Sequence, residues 1–228
     1  MPINYARRLT GRTRTALADR QLGFALSFVA GATNAGGFLA VQQYTSHMTG
    51  IVSAMADNIA LGVFPLVLQG AGALVSFMAG AACSAVMVNY ARRHRLHSQF
   101  AFPLLLEALL LLCFGLLGAW LARIEGLFVP VTVMLLCFIM GLQNAVITKL
   151  SHAEIRTTHV TGVVTDIGIE LGKLVYWNNG RGAAAGRVLA DRRRLRLLST
   201  LVGCFFAGVL PAPSASRRWA MCPRCRWR

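Results

Sequence analysis

His159, Asp166, Glu170 and Lys173 stand at i, i+7, i+11 and i+14, a spacing that returns to one face of a helix. Thr158, Thr161 and Thr165 border that stripe. Lys173, one turn from Glu170, is placed to neutralise it, whereas Asp166 and Glu170, four residues apart, repel and favour keeping a proton on one of them. A proton-holding carboxylate, a histidine relay and threonine hydroxyls together make a proton-coupled binding site. The alternative is an interfacial helix whose charged end sits in water beside an Arg-rich loop. An earlier stretch offers His47, Thr49, Ser53 and Asp57, the last three at successive i+4 steps; its alternative reading is Ser and Thr bonding across helices. The candidate substrate- or proton-binding residues are therefore His47, Thr49, Asp57, His159, Thr161, Asp166 and Glu170. Glu107 reads either as one more such group or as a snorkelling, interfacial carboxylate.

Other chemistries find no footing. H-E-x-x-H and G-x-S-x-G are absent, no Ser or Cys has a base at a recognisable spacing, and no glycine run continues into G-K-[ST]. Cys83, Cys113, Cys137 and Cys204 lie singly in apolar runs, as small buried hydrophobes do. Cys222 and Cys225 form a C-P-R-C with no second ligand pair to complete a zinc site. No catalytic residue, metal or cofactor is expected, and the chain does not read as an enzyme.

The elements that must position these residues are set by composition. Of 228 residues, 56% are hydrophobic and 14% charged, where a soluble domain carries about 25% Asp, Glu, Lys and Arg. A polytopic membrane protein fits; a water-soluble globule, a disordered chain or a coiled coil does not. The net charge is +15, and every basic residue except Lys149 and Lys173 is arginine. Such basicity can signal nucleic acid, but these arginines lie between long uncharged runs, where they report the cytoplasmic side of a membrane and meet anionic headgroups. The expected partners are a lipid bilayer and a small-molecule substrate, with no nucleic acid.

A spanning helix needs about 20 apolar residues, because only a helix satisfies its own backbone polar groups in hydrocarbon. Leu22–Tyr44, Leu66–Val88, Ala101–Ala122 and Leu127–Thr148 qualify, and Leu195–Pro213 is a weaker candidate. Met48–Phe64 carries Asp57, and Thr158–Trp177 carries Asp166, Glu170 and Lys173. Both begin in Thr- and Gly-rich sequence that suits broken or re-entrant helices. Arginine blocks lie before the first span (Arg7 to Arg20), at Arg92–Arg95 and at Arg181–Arg196. Placing all three in the cytoplasm requires even numbers of crossings between them, which holds when the two polar segments are re-entrant. This predicts a bacterial inner-membrane protein with a cytoplasmic N-terminus: a basic segment 1–21, a transmembrane domain 22–213 and an Arg, Cys and Trp tail 214–228. Arg7-Arg8 is followed by Leu9-Thr10-Gly11, a poor twin-Arg signal, and the first apolar run has a downstream copy, so it belongs to the fold.

That copy is the strongest pattern in the chain. Phe28 to Ala35, F-V-A-G-A-T-N-A, reads against Phe138 to Ala145, F-I-M-G-L-Q-N-A, at an offset of 110, and Thr45 to Val52 reads against Thr157 to Val164 at 112. Two ordered matches predict a duplication, with halves near 22–122 and 127–213 inverted in the membrane, as in many secondary transporters. Gly31, Gly50, Gly141 and Gly162 take matching places, where glycine lets helices approach or break, and Gly168 and Gly172 suggest a further small-residue packing motif. At these residues the chain resembles the YoaK-type family of small bacterial integral membrane proteins, a domain of unknown function; the resemblance covers about Leu22 to Leu210. It implies an α-helical membrane protein of about six spans and no established reaction. The chain departs from the family pattern at Asn34, where an acid is usual, and at Ile51 and Val163, where Asn is usual. No site role is carried over to those three. It departs again after Leu210, where Pro211-Ala212-Pro213 leads into a tail that reads as frameshifted or truncated.

The expectation is an all-α transmembrane bundle with an inverted internal repeat and two broken helices. It would act as a transporter-like permease with proton coupling; the alternative is a non-transporting scaffold or lipid-binding protein.

Overall fold

The computed structural model describes residues 11, 15–41, 43–121, 125–151, 157–176 and 189–211, with the backbone alone at 117–121 and 125–128. Most of the basic segment 1–21 and all of the tail 214–228, with Cys222 and Cys225, lie outside the described residues. Among the described residues seven helices follow in order: α1 (Ala16–Val41), α2 (Met48–Ala60), α3 (Phe64–Arg93), α4 (Ala101–Leu121), α5 (Glu125–Leu150), α6 (Val160–Val175) and α7 (Arg192–Val209). No strand occurs among the described residues; one isolated backbone bridge joins Gly11 to Ser98.

Local chemistry sets the boundaries. The Thr15 hydroxyl accepts the Ala18 N–H at the start of α1, and Asp191 caps α7 by accepting from Arg193 N and Arg194 N at 2.8 and 3.1 Å. α2 ends at Gly62, whose φ of 71° is a backbone setting that favours glycine. Pro65 then opens α3 in its first turn, where its missing N–H costs nothing.

α3 packs chiefly on α5, and α7 on α1; α2 lies on α3, α6 on α7, and α1 and α5 also touch. Both main crossings use one four-residue pattern, Phe-x-x-Gly. Gly80 of α3 meets the carbonyl of Phe138 while Gly141 of α5 meets that of Phe77, and Gly208 of α7 meets the carbonyl of Phe28 while Gly31 of α1 meets that of Phe205. A methyl group at any of the four would fall on the facing backbone oxygen, so these glycines bring the helix axes close and permit Cα–H···O contacts. Gly168 and Gly172, by contrast, have open space where a side chain would stand.

Two cores result. One gathers Leu22 and Leu26 of α1, Val88 of α3, Ile147 and Leu150 of α5, Leu197 and Leu201 of α7, and Phe100 just before α4. The other holds Ile51 of α2, Ala73 of α3, and Val133 and Cys137 of α5, with Val41 packed against it. The first core therefore lies where α1 and α7 begin and α3 and α5 end. Lys149 near the end of α5 donates to the Ala85 carbonyl and to Asn89 on α3, both at 3.3 Å, which fixes the same end.

Among the described residues three helical stretches are long and apolar enough to cross a membrane: α1, α3 and Val129–Leu150 of α5. Ala101–Leu116 of α4 is apolar too. Its Leu105, Leu109, Leu112 and Leu116 form an outward ridge, each 54% to 70% exposed, which in a membrane is stable against lipid chains. The 13 residues of α2 and 16 of α6 rise about 20 and 24 Å, short of the roughly 30 Å hydrocarbon core.

Candidate functional site

The segments that lead into α2 and α6 are held by matching hydrogen bonds. The Ser46 hydroxyl donates to Asn34 Oδ1 at 3.0 Å, and the Thr158 hydroxyl donates to Asn144 Oδ1. Beneath them Thr45 and Thr157 are buried, at 1% and 2% exposure, and neither hydroxyl has a hydrogen-bond partner among the described residues. The Cys137 thiol donates to the Thr45 carbonyl at 3.4 Å, and Gln143 Nε2 donates to the Leu26 carbonyl at 3.0 Å, tying α5 to α1.

This arrangement leaves a cavity of about 580 Å³ to which both segments contribute: Asn34, Ser46, His47 and Thr49 on one side, Asn144, Thr158, His159 and Thr161 on the other. Phe77 of α3 and Phe205 of α7, from the two glycine crossings, supply apolar wall. Tyr44 completes it, stacked on Phe38 with ring centroids 4.7 Å apart. His47 and His159 are the N-cap residues of α2 and α6, and neither makes a side-chain capping hydrogen bond. The His47 ring folds onto Gly50, whereas Gly162 faces open space.

Four of the seven candidate residues, His47, Thr49, His159 and Thr161, thus line one cavity, and three do not. Asp57 is exposed in the last turn of α2. Asp166 accepts from Arg194 Nη2 at 3.0 Å, and buried Glu170 accepts from Lys173 Nζ and from the Asp191 N–H, each at 2.8 Å. Each acid of α6 has its own donor on or near the start of α7, so the repulsion expected between them is relieved by separate partners and the pair docks α6 onto α7. Glu107 is packed inside the protein and not extended to the surface: it is 3% exposed, and its Oε2 has no hydrogen-bond partner among the described residues.

Sequence reasoning did not count Asn34, Asn144 and Ser46 as site residues, although Asn34 and Asn144 take matching places in the F-V-A-G-A-T-N-A and F-I-M-G-L-Q-N-A segments. It also missed Phe77 and Phe205, whose F-M-A-G and F-F-A-G segments match at an offset of 128. Among the described residues no group of three or more His, Cys, Asp or Glu is placed to hold a metal ion. A second cleft lies between the starts of α1 and α7, lined by Arg20, Phe24, Arg193, Arg196, Leu197 and Thr200.

Long apolar helices and an outward leucine ridge, around a cavity to which two helix starts bring polar groups, mark a helical membrane protein. The chain belongs to the family described as "Protein of unknown function (DUF1275)", which its residues 22–223 match. It is similar to the UPF0700 transmembrane protein YoaK of Bacillus subtilis (strain 168), at 29% identity over 145 residues, a stretch that covers 62% of each chain. No solved structure matches it.

Proposed function

We propose that the protein is a transporter-like permease of the bacterial inner membrane, with a substrate site in the cavity between the starts of α2 and α6. The observation that carries this reading is that two interrupted segments, far apart in sequence, bring equivalent polar residues to one cavity. Discontinuous helices meeting between inverted repeats are a recurrent way to build a transport site. On this reading α1–α3 and α5–α7 are the two copies, with α4 as the linking span. The pairing of α3 with α5 and of α7 with α1 through the same Phe-x-x-Gly pattern supports the duplication.

α2 and α6 are then re-entrant. α6 reaches the start of α7 at the arginine-rich end through Glu170 and Asp166, the end where α5 also finishes. This leaves five crossings, α1, α3, α4, α5 and α7, against the roughly six that the resemblance implies. The Gly11–Ser98 bridge and the Arg20–Arg193–Arg196 cleft bring the three arginine blocks to one end, which supports a cytoplasmic N-terminus.

Proton coupling would run through His47 and His159, since imidazole is the side chain suited to exchanging protons near neutral pH. The test is uptake into proteoliposomes with and without an inward proton gradient. Gradient-driven uptake that is lost in the His47→Ala/His159→Ala variant is expected; unchanged uptake in that variant refutes the assignment. A second reading, a lipid-binding or scaffold protein, is favoured by the cleft of three arginines beside Phe24 and Leu197, which suits an anionic headgroup. It predicts that Arg193→Gln/Arg196→Gln abolishes function while the histidine variant leaves it intact.

A further inference from the structure

We propose that the cleft between the starts of α1 and α7 binds an anionic phospholipid, whose phosphate bridges the two helices. The cleft is the one named in the second reading above, and the inference rests on that reading only in drawing its ligand from the bilayer; it holds whether or not the central cavity transports.

Helical spacing builds the cleft in two layers. Arg20 and Phe24 lie four residues apart on α1, and Arg193 and Leu197 four apart on α7, with Arg196 beside them. On each helix an arginine therefore stands one turn, about 6 Å, before an apolar side chain. The three arginines are exposed, whereas Phe24 and Leu197 belong to the core at this end. Since α1 is apolar enough to span, this order runs as a membrane surface does, charge at the headgroups and then hydrocarbon. A soluble phosphate would use the outer layer alone. A phospholipid uses both, with its phosphate on the guanidinium groups and its glycerol and first methylenes over Phe24 and Leu197. The volume, about 500 Å³, is that of a small-ligand site.

The arginines have no anion of their own in the cleft, since no carboxylate lines it. Neither Arg20 nor Arg193 makes a side-chain hydrogen bond or ion pair among the described residues, and Arg196 gives its Nε to the Arg192 carbonyl at 3.3 Å, which leaves its terminal nitrogens. Nearby acids are engaged otherwise: Asp191 accepts the Arg193 and Arg194 N–H groups, Asp166 pairs with Arg194, and Glu170 with Lys173. The site is thus one of side chains, because Asp191 already occupies the first turn of α7. The sequence just before each helix, residues 1–14 and 177–188, adds arginines and contains no Asp or Glu. Like charges gathered from two helices repel, and a phosphate between them converts that repulsion into a bridge. Close packing does not require the cluster either. At the offsets of 110 and 128 that relate the two Phe-x-x-Gly crossings, Arg20, Arg193 and Arg196 fall on Pro130, Pro65 and Leu68, none of them charged.

The experiment is native mass spectrometry of the purified full chain in a neutral detergent, titrated with diphosphatidylglycerol, phosphatidylglycerol, phosphatidylcholine and inorganic phosphate, with thermal unfolding measured in parallel. One saturable adduct is expected with each anionic lipid, and phosphatidylcholine and inorganic phosphate should bind at least about tenfold more weakly. The bound anionic lipid should raise the melting temperature. Arg20→Gln/Arg193→Gln/Arg196→Gln should weaken the adduct by about tenfold or more and remove that rise, while the unliganded melting temperature stays near that of the parent. Arg92→Gln/Arg93→Gln/Arg95→Gln takes away the same charge outside the cleft and should change the affinity by less than about twofold. No adduct, phosphatidylcholine or inorganic phosphate bound as tightly as the anionic lipids, an adduct retained by the cleft variant, or equal losses in the two triple variants would overturn the proposal. Uptake that survives in the cleft variant refutes the scaffold reading and leaves the lipid site standing. Failed uptake by the parent removes the permease and also leaves the site, whereas unselective lipid binding removes the site and leaves the permease.

Discussion

Single residues carry the tightest constraints in this molecule where a side chain is missing. Gly31, Gly80, Gly141 and Gly208 each have a backbone carbonyl where a methyl group would go, and backbone cannot yield as a flexible side chain does. Alanine at any one of them should destabilise the protein by about 1–3 kcal/mol, the usual range for overpacking. Alanine at Gly36 or Gly115, where nothing stands within 4 Å, should be close to neutral. Thermal unfolding in detergent separates the two groups, and equal effects would contradict the close crossings. Asp166→Asn belongs with the mild changes: its pair with Arg194 leaves the side chains 40% and 50% exposed, and such pairs contribute at most about 1 kcal/mol. At this scale the sequence was legible where a residue type is rare in its setting, as with the two histidines. It was opaque for Asn34 and Asn144, because an asparagine in an apolar run gives no sign of which neighbour will use its oxygen.

Helices explain why four of seven candidate residues met and three did not. Helical periodicity placed His159 in line with Asp166 and Glu170, but the stripe from His159 to Lys173 spans two environments, the cavity at its start and α7 near its end. Periodicity reports direction around the axis and not position along it, so the stripe could not separate cavity-lining groups from docking groups. The element positions themselves were readable, since uncharged run length and flanking arginines determine where a helix can rest in lipid. The start of α7 gives a pH prediction. Hydrogen bonds first from the Arg194 N–H and then from the Arg193 N–H hold the Asp191 carboxyl below its ordinary value of 3.8. Its contribution is therefore complete above that value and fades as pH falls through the lower folded one. Asp191→Ala should lower the melting temperature at neutral pH and remove this acid-dependent component, whereas Asp191→Asn should retain the cap and lose only the pH dependence. A parent melting temperature that responds to acid no differently from that of Asp191→Asn would refute the cap's role.

The whole molecule is best tested by which surface each turn faces. With native cysteines replaced, a cysteine at Leu61, in the exposed turn between α2 and α3, should react with a membrane-impermeant maleimide added from the periplasm. A cysteine at Ser98, beside the arginine block, should react after the membrane is permeabilised; the opposite pattern would rule out the five-crossing arrangement. The similar segments stand out in sequence at offsets of 110 and 112 because they carry polar and glycine residues set in apolar sequence. The third correspondence, Phe77-x-x-Gly80 with Phe205-x-x-Gly208, was hidden because phenylalanine and glycine are common in such helices and their meaning appears only across a crossing. That exchange of partners also governs how the chain is made. α1 and α3 have their principal packing surfaces on α7 and α5, which the ribosome delivers last and later. The newly inserted first half must therefore wait in the bilayer with its glycine faces unmatched. Biogenesis consequently favours late, concerted assembly, and the two halves synthesised as separate polypeptides should co-purify, whereas either one alone should be an open substrate for membrane quality-control proteases.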